Sequence, residues 1–206
     1  MPYIIGLTGG SGSGKTTFLK ELEQAFSPSE LLIISQDNYY RPREEQLTDE
    51  NGIQNFDLPH SIDQQAFAGD IRRLAAGETV TKQEYTFNNP LIVPKTFVWN
   101  SCPLIVVEGL FVMHEPMISE LLDLKVFLYA PETTSFARRI KRDQLERNYP
   151  LEDVLYRYEK HVIPTYEKYI RPLHQKADLV INNHTNFEKG LDVLVGYLKN
   201  KLQTKA

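Results

Sequence analysis

A parallel β-sheet covered by helices on both faces, an α/β fold, is the class the sequence predicts. Three observations carry that prediction. Short apolar runs alternate with longer helix-like segments along the chain. The first run ends in a glycine-dense turn, within Gly6 to Leu22, that opens a helix. One stretch, Thr79 to Trp99, instead alternates in the β manner on both sides of Phe87 to Pro90, and reads as a hairpin projecting from the sheet.

In chain order, "YIIGL" (Tyr3 to Leu7) is the first expected strand, a short apolar run leading into glycines. Thr16 to Phe26, rich in helix formers, is the first helix. "LLIIS" (Leu31 to Ser35) is the second strand and Ile62 to Ala76 the second helix. After the hairpin come "LIVV" (Leu104 to Val107), a helix over Pro116 to Leu122, "VFLY" (Val126 to Tyr129) and a helix over Ser135 to Arg147. A helical stretch from Leu151 to His174, interrupted at Pro164, precedes "LVIN" (Leu179 to Asn182) and a last helix over Phe187 to Leu202. Strands that are apolar throughout are buried on both faces, as in parallel sheets. No repeat, low-complexity tract or clear linker breaks the pattern, so residues 1–206 are expected to form one domain with a hairpin insertion at about 79–99.

Composition sets the limits on function. The 206 residues are 41% hydrophobic and 24% charged, ordinary for a globular protein, which argues against disorder and collagen-like structure. A net charge of −4 argues against a nucleic-acid coat while leaving room for a local basic cluster that holds a small polyanion. Cys102 is alone, so no intrachain disulfide forms and a reducing compartment fits. With no signal-like segment and no run near the roughly 20 apolar residues of a membrane span, the expectation is a cytoplasmic protein that binds small molecules, neither nucleic acid nor membrane.

The glycine-dense turn has the spacing Gly9-x-x-x-x-Gly14-Lys15-Thr16, the P-loop pattern, after a strand candidate and before helix formers. With glycine near 7% of average usage, these fixed positions match by chance in about one chain of this length in a hundred, before the strand–helix context is required. Glycines let the backbone approach a ligand closely, so that successive N–H groups ring a phosphate, and the following helix adds its positive N-terminus. Gly9, Gly10, Ser11, Gly12, Ser13, Gly14, Lys15, Thr16 and Thr17 are therefore expected to cradle ATP or another NTP. Lys15 can neutralise β/γ-phosphate charge, and the Thr16 hydroxyl can ligate Mg²⁺.

Magnesium takes oxygen ligands, so acidic groups are expected opposite the cradle. Asp37 follows the second strand in "LLIISQDNYYR" and Glu108 the third in "PLIVVEGLF". In a parallel sheet the C-terminal ends of the strands share one edge, where ligands bind, so both carboxylates and the loop should face one crevice. Arg138, Arg139, Lys141, Arg142 and Arg147 concentrate positive charge on one expected helix. Like charges at helical spacing repel, and a bound polyphosphate would relieve Arg138, Lys141 and Arg142. The plain alternative is a solvated face paired with Glu132, Asp143 and Glu146. Tyr156, Tyr158, Tyr166 and Tyr169 read as packing aromatics.

The motifs "GGSGSGKTT", "SQDNYY", "NFDLPHSID", "VVEGLF" and "RRIKRDQLERN" occur in the order and at roughly the spacing seen in uridine kinases, which also resemble phosphoribulokinase and pantothenate kinase. The resemblance runs from about Tyr3 to Asn182. It implies the P-loop kinase fold with a helical lid at about 135–150, and ATP- and Mg²⁺-dependent phosphorylation of a pyrimidine nucleoside in pyrimidine salvage. A homo-oligomer is plausible by the same likeness. By position, Asp37 would be the base facing the ribose 5′-hydroxyl and lie near Mg²⁺, while Glu108 would join Thr16 at the metal. Tyr40 would contact the sugar and Asp57 would accept its 2′- and 3′-hydroxyls. Tyr85 and Phe87 would contact the pyrimidine with Phe56 nearby, and Arg138 would touch the transferred phosphate with Arg142 on the nucleotide side. Three positions depart from the family pattern: Pro90 for a histidine that reads the base, Ser135 for an arginine, and Asp153 for a glutamine. All lie on the acceptor side, where Asn88 or Asn89 could supply the lost donor. The sequence thus predicts a uridine or cytidine kinase. A related kinase for pantothenate or a sugar phosphate, or a nucleotide-binding regulator without turnover, stays open at this point.

Overall fold

The computed structural model describes residues 1–87, 92–145 and 149–204. Its strands are β1 (Tyr3–Thr8), β2 (Leu31–Ser35), β3 (Val80–Gln83), β4 (Thr96–Trp99), β5 (Leu104–Glu108), β6 (Leu124–Tyr129) and β7 (Leu179–Asn182). β3 and β4 pair antiparallel as the separate hairpin the alternation predicted. The other five form one parallel sheet in the order β2-β5-β1-β6-β7.

Successive side chains of a strand point to opposite faces, and both faces here are apolar. On one, Ile4, Ile105, Val107 and Phe127 pack against Phe67, Ile71 and Leu74 of α2 (Gln64–Ala75) and against Ile170 and Leu173. On the other, Ile5, Leu7, Val106 and Leu128 meet Phe18 and Leu22 of α1 (Lys15–Gln24) and, from the C-terminal helix, Leu194 and Leu198. Fully burying each such side chain stabilises the fold by roughly 1.5–3 kcal/mol. The hairpin is rooted in the first core through Val80 and Trp99, with Phe97 stacked on Trp99 at 5.6 Å.

Two elements differ from the sequence expectation. The helix expected over Pro116 to Leu122 stops early, as α3 (Pro116–Ser119). Asp123 exchanges hydrogen bonds with Ile4, its Oδ2 accepting from the Ile4 N–H at 2.8 Å and its own N–H donating to the Ile4 carbonyl at 2.8 Å. That pull toward the sheet ends the helix and starts β6 at Leu124, ahead of Val126. The second difference follows α4 (Glu132–Leu145) and α5 (Leu151–Arg157). Pro164 does not interrupt the chain's helical path. It lies in the short α6 (Ile163–Thr165), bracketed by two widened π turns over Tyr158–Val162 and Tyr166–Ile170. Wide turns bond i to i+5, so a residue without an N–H is accommodated with the helical path kept. α7 (Glu188–Gln203) closes the fold. Asn88, Asn89, Pro90, Glu146 and Arg147 lie outside the described residues.

Candidate active site

Because every neighbouring pair in the sheet is parallel, Thr8, Ser35, Glu108, Tyr129 and Asn182 end on one edge. The phosphate loop leaves β1 there. Gly12 and Gly14 have φ of 80° and 98°, a region that L side chains rarely adopt. A Cβ on Gly12 would also strike the Ser135 carbonyl of α4, and one on Gly14 the Asn183 amide, so the loop is hemmed in by backbone and amide groups. Lys15 opens α1 and curls back, its Nζ donating to the carbonyls of Gly9 at 2.8 Å and Gly10 at 3.1 Å. Thr16 and Thr17 are exposed on the first turn. Ser13 is buried, and its Oγ has no hydrogen-bond partner among the described residues.

Opposite the loop stand the two acids found in the sequence. Ser35 and Glu108 are register partners across β2 and β5, and the Ser35 hydroxyl donates to Glu108 Oε1 at 2.5 Å. The same hydroxyl accepts the Asp37 N–H at 3.2 Å, so one side chain caps the turn bearing Asp37 and orients Glu108. Burial, then the charge of Asp37, push the Glu108 carboxyl up to about 7 against the opposing pull of Lys15 and the Ser35 bond. Burial lowers Lys15 from the usual lysine value, while Glu108 and Asp37 work to raise it. Lys15, Asp37 and Glu108 therefore share one field. Two crowded carboxylates, an orphaned buried hydroxyl and a glycine cradle fit a polyphosphate with a hard divalent cation.

Beyond these acids, Tyr40, Phe56, Tyr85 and Phe87 form one aromatic cluster. Tyr40 lies 6.1 Å from Phe56, 5.1 Å from Tyr85 and 6.0 Å from Phe87, ring centre to ring centre, and Tyr85 and Phe87 meet at 5.2 Å. The Tyr85 N–H donates to Asn38 Oδ1 at 3.2 Å, fastening the hairpin to the turn that carries Asp37. Phe87 holds a φ of 53°, uncommon for a bulky residue, and is 42% exposed. Asp57 sits beside the cluster, its own N–H bonded to Asn55 Oδ1 at 2.9 Å.

A third group of residues lies beside the loop. Gly14, Thr17, Arg138, Asn183, Thr185 and Asn186 help line a cavity of about 290 Å³. The Arg138 guanidinium is 3.5 Å from the carbonyls of Ser13 and Asn183, and Asn183 Nδ2 donates to the Ser13 carbonyl at 2.8 Å. Sequence reasoning did not single out Asn183, Thr185 or Asn186. The signal was their place just after β7, on the same strand edge as the P-loop.

The lid cations divide as the sequence alone could not decide. Arg139 and Arg142 both pair with Asp143, at 3.2 Å and 2.8 Å, in part the solvated-face reading, except that Asp143 is buried. The charge of Arg142 also works to lower Lys15. Arg139, left without a role by sequence reasoning, is the cation that reaches Ser11 and Asp57. Ser135 is buried against the loop and Asp153 is exposed in the first turn of α5. Tyr158 packs on Phe136 at 4.2 Å, in line with packing roles for these tyrosines.

Comparison with known proteins agrees with this arrangement. The profile of the Phosphoribulokinase / Uridine kinase family matches residues 4–188. The uridine-cytidine kinase B of Dictyostelium discoideum is 32% identical over 204 residues, covering 99% of this chain and 84% of that protein. A uridine kinase of Borrelia duttonii is 34% identical over 199 residues, 97% of this chain and 95% of its own. Among solved structures, a phosphoribulokinase from Rhodobacter spheroides superposes with a TM-score of 0.59 at 15% identity over 88% of this chain and 70% of that one. A D-glycerate 3-kinase from Cryptococcus neoformans superposes with a TM-score of 0.60 at 11% identity over 88% and 86%. These structures share the fold; the sequence matches go further, and with a family profile spanning all but the ends of the chain, this protein belongs to the phosphoribulokinase/uridine kinase family.

Proposed function

We propose that this protein transfers the γ-phosphoryl group of ATP to the 5′-hydroxyl of a pyrimidine nucleoside, uridine or cytidine. One observation carries the reading: the aromatic cluster of Tyr40, Phe56, Tyr85 and Phe87, next to the carboxylate Asp57, is fastened through Tyr85 and Asn38 to the turn that carries Asp37. Aromatic faces suit a flat base, and a carboxylate suits a vicinal diol. The relatives named for uridine and uridine–cytidine phosphorylation support the same acceptor.

The residues divide the work as phosphoryl transfer demands, mostly by positioning and charge. Gly9 to Thr17 offer backbone N–H groups to the phosphates, and Lys15 leaves the carbonyls of Gly9 and Gly10 for the β/γ oxygens. The cavity beside Arg138 and Asn183 suits the rest of the donor nucleotide. Thr16, Glu108 and Asp37 would hold Mg²⁺, which supplies charge neutralisation on the phosphates when bound. Asp37 orients the acceptor hydroxyl and takes its proton late in the transfer. Arg138 and Arg142 add positive charge from the lid. Tyr40, Phe56, Tyr85 and Phe87 hold base and sugar, and Asp57 receives the 2′- and 3′-hydroxyls.

A coupled ADP-release assay across uridine, cytidine, pantothenate and ribulose 5-phosphate tests the reading. Turnover is expected with a pyrimidine nucleoside. Turnover confined to pantothenate or the sugar phosphate would reassign the acceptor, and none with any of the four would remove the enzymatic reading.

A further inference from the structure

We infer that the cavity between the phosphate loop and α4 is a binding site for a small organic ammonium ion, its charge held at Glu132, Tyr158 and Tyr166 and its short apolar tail among Phe127, Ala130 and Val162. The inference stands apart from the proposed donor and acceptor roles. Neither Asp37 nor Asp57 lines this cavity, and nor does any member of the Tyr40 cluster.

Four parts of the fold close around it. Gly10 and Ser11 come from the phosphate loop, Phe127 and Ala130 from the end of β6 and the residue after it, and Ser135 from α4. The last wall belongs to the two π turns, which supply Tyr158 and Val162 from the first and Tyr166 from the second. Wide turns of this kind recur at functional sites. Loop and wall are close, since a Cβ on Gly10 would come within 3.2 Å of the Tyr166 ring. The space is about 30 Å³, against about 290 Å³ for the cavity beside Asn183. A single water needs roughly 10–15 Å³ of such space, so a tail of about three or four carbon atoms fits and a nucleobase does not.

Apolar walls admit any small apolar solute; the polar groups choose among them. Neither the Glu132 carboxylate nor the hydroxyl of Tyr158 or Tyr166 has a hydrogen-bond or ion-pair partner among the described residues. The cations whose charges act on these tyrosines are already matched: Arg139 by Asp57, on the strap formed by residues 49–57, and by Asp143, and Arg171 by Glu167. The charge of Glu132 is the one left over. Burial first, with the charge of Glu132 adding to it, raises both tyrosine hydroxyls, so they stay neutral and able to accept a hydrogen bond. An ammonium group carries three donors and no acceptor, the complement of one carboxylate and two phenol oxygens, and tyrosine rings attract cations. An anionic ligand would be repelled by Glu132, and a neutral alcohol would leave that charge unmatched.

The test is an NMR titration of the full chain without nucleotide, following the amides of Gly10 and Ser11, with four probes: n-butylammonium, methylammonium, 1-butanol and butyrate. Three further buried methylenes and a matched charge should make n-butylammonium bind at least about tenfold tighter than methylammonium or 1-butanol, with butyrate the weakest. Glu132→Gln should bring n-butylammonium down to the level of 1-butanol. Ser135→Leu, which fills the cavity, should remove its advantage over methylammonium. Saturating uridine should leave its affinity within about twofold, as expected of separate sites. Equal binding of methylammonium and n-butylammonium to the native protein would reduce the site to a surface carboxylate and overturn the inference. So would 1-butanol binding as tightly as n-butylammonium, an unchanged affinity in Glu132→Gln, or displacement of the probe by uridine. Glu132 is exposed, so its variant keeps the fold. Should Ser135→Leu fail to fold, the probe series on the native and Glu132→Gln proteins still decides.

Discussion

The phosphate loop and the aromatic cluster, proposed as the donor and acceptor halves of the site, are built in opposite ways. The donor cradle is local: consecutive residues from Gly9 to Thr17 turn from β1 into α1, and their chemistry lies in their own spacing. The proposed acceptor side is assembled from Tyr40, Phe56, Asp57, Tyr85 and Phe87, carried by three segments and tied by Arg139 from a fourth. Their electrostatics differ as well. The proposed donor half crowds Lys15, Asp37 and Glu108 into one field and pushes Glu108 up, whereas the proposed acceptor half is stitched by the Arg139–Asp57 ion pair and the His161–Asp49 hydrogen bond.

The largest way to sharpen that contrast is to empty the cradle of its cation. Lys15→Ala removes a charge that stabilises the developing transition state, and kcat is expected to fall by roughly 10³-fold with the fold intact. Circular dichroism and steady-state kinetics on one preparation check it; near-native turnover would dismiss the P-loop assignment. Asp37→Asn is the next in size. The amide keeps one acceptor oxygen but carries no charge and takes no proton, so kcat should drop by about 10²-fold while nucleoside KM stays within a small factor. Ser35 caps this turn through the Asp37 N–H, a bond that the substitution keeps, so the melting temperature should hold. Lower stability with a preserved kcat would mark Asp37 as merely structural.

How much of this was legible in the sequence follows from the same contrast. Parallel strands, the P-loop and the two strand-end acids are local patterns whose placement one rule, the shared C-terminal edge, converts into geometry. The aromatic cluster came through likeness of motif order, since no spacing in "QDNYY" or "EYTF" says that Tyr40 and Tyr85 lie 5.1 Å apart. Arg139 shows the limit: five basic residues stood on one expected helix, and burial, which chooses among them, is a tertiary property. Its one local signal was the i, i+4 spacing to Asp143. α3 ended early for a similar reason, because Asp123 is captured by Ile4 from the far end of the chain.

A smaller effect is expected at the strap. Asp49 accepts the Tyr156 hydroxyl and the His161 Nε2 contact on one oxygen, each at 2.7 Å, and the N–H groups of Asn51 and Ile53 on the other, each at 2.9 Å. Burial works to raise this carboxyl, but those bonds together hold it well below the usual carboxylate range. His161 is only 1% exposed, and Arg157 adds a bond to the Gln54 carbonyl at 3.1 Å, so the strap leading to Asp57 is clamped to the segment after the lid. His161→Phe should raise the nucleoside KM by about three- to tenfold and leave the ATP KM nearly unchanged. An equal rise in both would show that the clamp supports the whole lid and not the acceptor half.

The smallest effect tests the crowding itself. In metal-free buffer Glu108 titrates near 7 in the folded chain against 4.5 for an ordinary carboxyl, so between those values the folded state holds a proton that the unfolded state has released. Stability then falls as pH rises, since the unfolded state binds fewer protons; the contribution is complete below about 4.5 and lost as pH passes 7. Glutamine cannot ionise. Glu108→Gln should therefore melt close to the native protein at pH 5 and above it at pH 8, where the native chain keeps two carboxylates side by side. For a chain of this length each kcal/mol is roughly 2–4 °C in Tm, so a gain of a few degrees is the expected size. Asp49→Asn, which breaks a matched pair, should instead lower Tm at both values, because it removes an acceptor that four donors use and returns no relief of repulsion. Thermal melts of the three proteins at the two pH values compare the halves directly. A Glu108→Gln protein that melts below the native one at pH 8 would mean that attraction to Lys15 outweighs both burial and Asp37, and the donor half would then be a matched set like the acceptor half.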